Sequence, residues 1–301
     1  EVRPAPGYFT LPGSSHQFRD SNPRGNGSAN LARAIAVSSD TFFYKLAWDM
    51  GIDRIHPLLA QFGLGSKTGI DLDGEAIGVL PTKEWKARRF AGKRFRDEHR
   101  RWLPADVVSI GIGQGFNTYT PLQMANATAM LANDGRAFHP HLVQKVTDAR
   151  NGKTRLIEAA PYKQLPFKQQ HYDYIKKGMQ AVMQPGGTGW RLGQGLQYSM
   201  AGKTGTAQVV QIKQGAKYNA GALAEQHRDH SWFIAFAPVE QPKIAVAVIV
   251  ENAGFGATAA APIARALFDY YLTGKLSDDI RGQLETFPPS ATGKQDASVA
   301  R

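Results

Sequence analysis

The densest concentration of reactive side chains lies in the segment Lys203-Thr204-Gly205-Thr206. The lysine supplies positive potential, the two hydroxyls can donate to a carboxylate, and the glycine lets a ligand lie close to the backbone. The apolar and β-branched residues at 209–212 predict that this segment lies on a strand. We therefore expect a strand edge that binds an anionic group beside a cation, provided that partner residues lie elsewhere in the chain.

A second cluster, Ser38-Ser39-Asp40, lies where apolar residues recur at helical spacing between residues 31 and 51. A serine hydroxyl both donates and accepts, so Ser38 could relay a proton, and Asp40 could accept from a substrate amide or pair with a lysine. The alternative is structural: a serine hydroxyl bonds back to a helix carbonyl while Asp40 is solvated. The cluster alone favours the structural alternative, whereas the cluster together with residues 203–206 favours chemistry.

The elements that must position these clusters are helices followed by a run of strands. Helices are predicted at residues 31–51, 55–62, 121–133, 171–183 and 258–273, short strands at 68–72 and 142–147, and a turn-rich stretch at 104–115. Longer strands at 199–212, 230–237 and 243–251 would form an antiparallel meander, because the last link is short. This order predicts an α+β fold, an antiparallel sheet flanked by helices. It forms one domain over residues 1–276, and the polar residues 277–301 are predicted to be a mobile tail.

Composition excludes several kinds of site. The 301 residues include no cysteine, which excludes disulfides, zinc–thiolate centres and cysteine nucleophiles. They also include no run of 18 apolar residues that could span a membrane. Any nucleophile that this chain supplies must therefore be a residue other than cysteine.

A basic segment at residues 83–101 holds nine Lys or Arg and three Asp or Glu, and so carries six of the eleven net positive charges. Such a cluster could contact anionic lipid headgroups or nucleic acid. Aromatic residues within it and directly after it could stack on bases or pin the segment to the core; they are Trp85, Phe90, Phe95 and Trp102. No nucleic-acid motif accompanies them, so a solvated surface is favoured and no nucleic-acid partner is expected.

Longer stretches accompany the two clusters. They are residues 38–44, 49–53, 68–72, 111–115 (Gly-Ile-Gly-Gln-Gly), 120–124, 202–208, 228–230 and 251–252. In this combination and order, the chain resembles the transpeptidase domain of class B penicillin-binding proteins, and most closely the elongation-specific penicillin-binding protein 2 branch of that family. The resemblance extends from Tyr8 to about Leu276.

The resemblance implies the penicillin-binding serine transpeptidase fold. It also implies a peptidoglycan D,D-transpeptidase that cross-links stem peptides through an acyl-enzyme, is acylated by β-lactams and needs no cofactor. Catalytic roles fall to Ser38, Asp40, Lys203 and Thr206, whose backbone N–H would form half of an oxyanion hole. Binding of the substrate or the β-lactam falls to Thr204, Gly205, Thr206 and Ser39.

The chain departs from the family pattern in two ways. Its second motif is Ser38-Ser39-Asp40 where most of the family has Ser-x-Asn, although the penicillin-binding protein 2 branch resembles the Asp form. No Ser-x-x-Lys, which in this family carries the acylated serine and its lysine base, occurs in the sequence. The resemblance places that motif before Tyr8. We therefore expect this chain to start after the motif and to contain the part of the active site that binds the substrate, without the nucleophile.

Some relatives in that branch bind zinc beside the second motif through Asp, Asp, His and Cys. The corresponding positions here are Ala5, Asp20, Asn26 and Ser39, of which only Asp20 is a usual zinc ligand. One carboxylate cannot supply the four ligands that zinc takes, so no metal is predicted. The histidine pairs 139/141 and 227/230 lack further ligands at suitable spacing, and the glycines at 111–115 lack the spacing of a nucleotide loop.

The resemblance also implies partners and a location. The expected partners are peptidoglycan stem peptides and β-lactams, a peptidoglycan glycosyltransferase of the elongation machinery, and its scaffold proteins. The expected location is the periplasmic face of the inner membrane, with an N-terminal anchoring helix outside this chain. Two alternatives remain open: an inert scaffold or binding module of the same fold, and a serine β-lactamase or β-lactam sensor, for which no glutamate-bearing loop suited to hydrolysis of the acyl-enzyme is evident.

Overall fold

The chain begins with short hairpins and helices and ends with a three-stranded sheet covered by helices. The computed structural model describes residues 1–210 and 219–285. Its helices are α1 Leu31–Val37, α2 Asp40–Met50, α3 Ile52–Gln61, α4 Lys83–Arg89, α5 Asp97–Arg100, α6 Pro104–Ile110, α7 Pro121–Ala132, α8 Gln169–Val182, α9 Ala260–Thr273 and α10 Asp278–Glu285. Its strands are β1 Val2–Ala5, β2 Tyr8–Thr10, β3 Gln17–Arg19, β4 Gly27–Asn30, β5 Arg136–Phe138, β6 Lys145–Thr147, β7 Thr154–Leu156, β8 Pro161–Gln164, β9 Ala201–Ala207, β10 His230–Ala237 and β11 Ile244–Val250.

Strands β9, β10 and β11 form an antiparallel sheet in the order β11-β10-β9, which confirms the predicted meander and the α+β fold. Helix α8 packs on β9, while α9 packs on β10 and β11. Phe233 and Phe236 of β10 and Phe268 of α9 are completely buried between them. Burying one such side chain contributes about 1.5–3 kcal/mol. The packing of the helices on the sheet therefore holds β10 in place, and β9 pairs with β10 as the edge strand of the described sheet.

Helix α7 shows how the sequence sets an element's start. Pro121 occupies its first turn, where the missing N–H costs little. Thr120 Oγ1 accepts from the Gln123 N–H at 3.1 Å, and Gln123 Oε1 accepts from the Thr120 N–H at 3.0 Å. This reciprocal capping box satisfies two backbone donors and confirms the helix predicted from residue 121.

The helix predicted at residues 31–51 is in fact two helices. Ser38 adopts a left-handed conformation, with φ 54° and ψ 53°, which ends α1 and lets α2 begin at Asp40. The apolar periodicity continues across this break, and neither glycine nor proline marks it. The prediction of one continuous helix was therefore wrong at the serine cluster itself.

Three further predictions are corrected. Residues 68–72 form no strand, and the stretch predicted to be turn-rich at 104–115 begins with helix α6. The segment predicted to be a tail begins instead with helix α10, whose Ile280 is completely buried. Residues 211–212 of the predicted first strand and 286–301 of the predicted tail lie outside the described residues.

The aromatic side chains of the basic segment pack on protein. Phe90 contacts Phe95 and Phe116 at ring-centroid distances of 5.0 and 5.9 Å, and Trp85 contacts Phe116 at 5.5 Å. Lys86 is buried and pairs with Asp106 at 2.6 Å. These rings attach α4 to the loop after α6. The aromatic side chains of the segment thus pack on the protein, which agrees with the interpretation of the segment as a solvated surface. Among the described helices, none combines the length and apolar character needed to cross a membrane.

Candidate active site

The break between α1 and α2 presents Ser38 to strand β9. The left-handed conformation of a non-glycine residue costs on the order of 1 kcal/mol, so surrounding contacts must maintain it. The Ser39 N–H donates to Ala34 O at 2.9 Å, which closes the last turn of α1. The Ser38 N–H still donates to Ile35 O of α1 at 3.2 Å, while its Oγ accepts from Lys203 Nζ at 2.8 Å.

Asp20 holds this corner in place. Its Oδ2 accepts from Ser39 Oγ at 3.1 Å and from the Thr41 N–H at 3.0 Å, and its Oδ1 accepts from Asn26 Nδ2 at 3.2 Å. Ser39 makes no capping bond of its own to α2, so the Asp20 carboxylate supplies the negative charge and the acceptor that a helix N-terminus favours. The sequence alone suggested Asp20 only as a remnant of a metal site and gave no sign of this role.

Ser39 does not belong to the binding surface. It is completely buried, and its hydroxyl is engaged by Asp20. The prediction that Ser39 contacts a substrate or β-lactam is therefore corrected: its side chain supports the corner from beneath.

Lys203 joins the two clusters. Besides its bond to Ser38, its Nζ donates to Thr204 O at 2.6 Å. Burial lowers the pKa of Lys203 to about 8, because the charged ammonium loses solvation, while the nearby charge of Asp40 acts in the opposite direction. An ammonium group with this pKa can give up a proton near neutral pH.

Asp40 lies at the first position of α2. Its Oδ2 accepts from the Ser21 N–H at 3.2 Å. Burial, together with the negative charge of Asp20, raises the pKa of Asp40 to about 6, although the Ser21 bond and Lys203 act in the opposite direction. Lys203 and Asp40 therefore influence each other's charge, as expected if both face one site.

Thr204 meets a residue that the sequence analysis did not assign. Its Oγ1 lies 2.8 Å from Oγ1 of Thr188, in the turn that follows α8. The Thr188 N–H donates to Ala36 O at 3.1 Å, which ties this turn to the end of α1. The signal in the sequence that could have identified Thr188 is a hydroxyl residue flanked by glycines at 186, 187 and 189.

Gly205 and Thr206 complete the edge of β9. A Cβ on Gly205 would lie 3.1 Å from Trp232 Cβ, and a Cβ on Gly256 would lie 2.5 Å from Gly205 O. The absence of a side chain at Gly205 thus serves close packing of the protein itself. Thr206, opposite Ser231 in the sheet register, remains partly exposed.

The four positions that hold zinc in some relatives do not fit a metal here. Both Asp20 oxygens already accept hydrogen bonds, and Asn26 and Ser39 are among the donors. In the part of the chain that the structure describes, no three His, Cys, Asp or Glu side chains group as metal ligands. The chemistry available at this site is therefore that of a hydroxyl hydrogen-bonded to a lysine, beside threonine hydroxyls that can bind a carboxylate.

The chain matches a known family and known proteins. Residues 7–269 match the family described as the penicillin binding protein transpeptidase domain. The chain is 40% identical over 294 residues to the peptidoglycan D,D-transpeptidase MrdA of Haemophilus influenzae, an alignment that covers 97% of this chain and 43% of that protein. It is 39% identical over 287 residues to MrdA of Escherichia coli K12, covering 91% of this chain and 42% of that protein. The chain thus spans less than half the length of these relatives.

Solved structures show the same likeness. PBP2 of Pseudomonas aeruginosa, in complex with WCK 5153, aligns with a TM-score of 0.75 and 35% identity, covering 93% of this chain and 58% of that one. PBP2 of Helicobacter pylori, in complex with MreC, aligns with a TM-score of 0.72 and 28% identity, covering 91% of this chain and 46% of that one.

Proposed function

Because the chain belongs to the penicillin-binding protein transpeptidase domain family, we propose that it forms most of the acyl-transfer site of a peptidoglycan D,D-transpeptidase active in cell elongation. The observation that carries this proposal is the bond from Lys203 Nζ to Ser38 Oγ at 2.8 Å, beside the hydroxyl of Thr204. It brings a proton donor, a relay hydroxyl and an anion-binding edge together.

The edge of β9 binds the substrate. The stem peptide ends in D-Ala-D-Ala, whose terminal carboxylate accepts from the hydroxyls of Thr204 and Thr206 in the potential of Lys203. The N–H of Thr206 then donates to the carbonyl oxygen under attack, as one half of an oxyanion hole. One such donor typically contributes about 10²–10³ in rate, because it bonds most strongly to the oxyanion of the transition state.

The acylation step breaks the last peptide bond. A serine hydroxyl from the family's Ser-x-x-Lys motif, which is not in this sequence, gives its proton to the lysine of that motif and adds to the penultimate D-Ala carbonyl. Ser38 Oγ gives its proton to the nitrogen of the departing D-alanine and regains one from Lys203 Nζ. The products are an acyl-serine ester and free D-alanine. An amine of a neighbouring stem peptide then attacks the ester, which regenerates the serine and forms the cross-link.

A β-lactam would follow the same route through its own carbonyl and carboxylate. Asp40 would orient the substrate amide and the lysine of the Ser-x-x-Lys motif. Nothing in this sequence of steps requires a cofactor.

The location and the partners are proposed on likeness. We infer that the whole protein acts at the periplasmic face of the inner membrane, beside a peptidoglycan glycosyltransferase. The Helicobacter pylori relative is described in complex with MreC, which supports a scaffold protein as a partner here.

The test is intact-mass spectrometry of the full-length protein after treatment with a β-lactam, together with muropeptide analysis of cross-linking. We expect one acyl adduct, carried by a serine outside this chain and stable for many minutes, and cross-linked dimers from uncross-linked strands. No adduct and no dimers would support the inert scaffold. Rapid turnover of nitrocefin would support a β-lactamase. Either outcome would contradict the proposed function.

A further inference from the structure

The glycine-rich loop at residues 111–115 has no part in the mechanism above, yet its Gln114 side chain reaches strand β9. Gln114 Nε2 donates to Thr206 O at 2.6 Å, and Gln114 Oε1 accepts from the Gln208 N–H at 3.3 Å. A primary amide carries a donor and an acceptor side by side, as a peptide unit does. Gln114 therefore bonds to β9 as a residue of a neighbouring strand would.

This bond fixes the direction of Thr206. In an antiparallel strand, the N–H and C=O of one residue point to the same side. The Thr206 carbonyl and the Gln208 N–H both face Gln114, on the side of β9 away from β10, and Thr204 O faces Lys203 Nζ on that side as well. The Thr206 N–H therefore also points off the free edge.

The loop itself is held firmly. Gly113 and Gly115 have φ of 80° and 75°, a region that favours glycine, so the chain reverses sharply on both sides of Gln114. The Gln114 N–H donates to Ser109 O at 3.1 Å, and Asn117 Nδ2 donates to Gln114 O at 3.3 Å. Phe116 packs on the aromatic rings of the basic segment. Gln114 is thus presented from a fixed support.

We propose that Gln114 is a positioning residue for acyl transfer: its side-chain amide holds the free edge of β9 so that the Thr206 N–H meets the oxyanion. The proposal rests on the proposed function, which makes that N–H an oxyanion-hole donor. Gln114 touches no reacting atom and acts through Thr206. Its loss should therefore affect the acylation step more than the binding of the β-lactam.

The first test separates these two quantities in the full-length protein, by stopped-flow acylation with a chromogenic β-lactam over a range of concentrations. Gln114→Ala should lower the first-order acylation constant by about 10-fold or more. This loss should be smaller than the roughly 10²–10³-fold loss of rate that follows outright removal of an oxyanion donor. The apparent dissociation constant of the non-covalent complex should change less than threefold.

Gln114→Glu provides a sharper readout. A protonated glutamic acid has one donor and one acceptor in the positions that the amide uses, whereas the ionised form turns two acceptors toward the Thr206 carbonyl. The ratio of the variant's acylation constant to that of the wild type should therefore rise as the pH falls from 8 to 5. The elements around this loop also carry the ionisable side chains of Lys203, Asp40, Lys86, Asp229 and His230, but both proteins contain them, so the ratio isolates residue 114.

Gln123→Ala is the matched control. Gln123 Nε2 also donates to backbone carbonyls, at 2.6 Å to Ser66 O and 2.9 Å to Ile77 O, but away from β9. Its loss should lower the melting temperature without a selective loss of the acylation constant at a temperature where the variant is folded.

The outcomes are distinct. A wild-type protein that no β-lactam acylates overturns the proposed function and this inference with it. A wild type that is acylated, with an unchanged acylation constant in Gln114→Ala, overturns the inference alone. So does a loss in Gln114→Glu that is the same at pH 5 and pH 8. A selective loss with rescue at low pH supports the role of Gln114.

Discussion

The two halves of the candidate site are built in different ways. The Ser38 corner, residues 38–40 between α1 and α2, is maintained by side-chain bonds to one buried carboxylate, Asp20, against an unfavourable backbone conformation. The β9 edge, residues 203–206, is held by its pairing with β10, whose Phe233 is completely buried. The corner therefore depends on few groups, whereas the edge depends on many. Substitutions in the corner should affect folding and chemistry together, and those on the edge should affect chemistry alone.

The largest effect is expected on the edge. Lys203→Ala in the full-length protein should lower the β-lactam acylation constant by about 10²–10⁴-fold, the usual range for loss of a group in proton transfer. The melting temperature should change little. Lys176→Ala is the control, because Lys176 Nζ also bonds a carbonyl and a carboxylate, Ala132 O and Asp134 Oδ1, neither of which belongs to the corner or the edge. Full acylation of the Lys203 variant would show that the cleft has been assigned to the wrong residues.

The next effect is expected in the corner. Asp20→Ala leaves the buried donors of Ser39 and Thr41 without their acceptor, and each such group costs about 1–3 kcal/mol, so the free energy of unfolding should fall by about 3 kcal/mol. The acylation constant should fall with it. Chemical denaturation and stopped-flow acylation measure the two.

Asp71→Ala is the matched control for Asp20. Asp71 also accepts two backbone N–H bonds, from Leu142 at 2.7 Å and Val143 at 2.9 Å, but on the surface. It should lose less than about 1 kcal/mol and leave acylation unchanged. Equal losses of stability in the two variants would contradict the claim that the buried Asp20 carboxylate maintains the corner.

Asp40 gives a pH-dependent test of the corner. Because burial raises its pKa to about 6 from 3.8, the folded state holds its proton more tightly than the unfolded state does. Wild-type stability should then fall, relative to Asp40→Asn, as the pH rises from 4 to 6, by about 2 kcal/mol in total, and level off above that. Urea denaturation of both full-length proteins at pH 4, 5, 6 and 7 measures this. A difference that does not vary with pH would contradict the raised pKa.

The smallest effect is expected in the turn after α8, where the Thr188 hydroxyl contacts Thr204 of the β9 edge. Thr188→Val removes the partner of the Thr204 hydroxyl, a neutral hydrogen bond that contributes about 0.5–1.5 kcal/mol. The β-lactam should bind about threefold to tenfold more weakly, with an unchanged melting temperature, because Thr188 is exposed. Thr188→Ser, which keeps the hydroxyl, should restore binding. Failure of the serine variant to restore it would argue that Thr188 acts through its methyl group.

The same contrast explains what the sequence could predict. Strand β10 was predicted with its observed bounds, 230–237, because alternation and a short link are local signals. The pairing of Ser38 with Lys203 followed from a resemblance that spans most of the chain. The break at Ser38 was not predictable, because a carboxylate 19 residues before Ser39 maintains it and no local residue signals it. Gln114 and Thr206 are 92 residues apart, so only the folded chain brings them together.

The most direct test of one shared site is a double-mutant cycle on Ser38→Ala and Lys203→Ala in the full-length protein, read as the β-lactam acylation constant. Groups that act as one relay are strongly non-additive, since either loss interrupts the same proton path. We predict that the double variant is acylated within about threefold of the slower single variant. Losses that multiply, as for independent groups, would contradict the relay from Lys203 through Ser38.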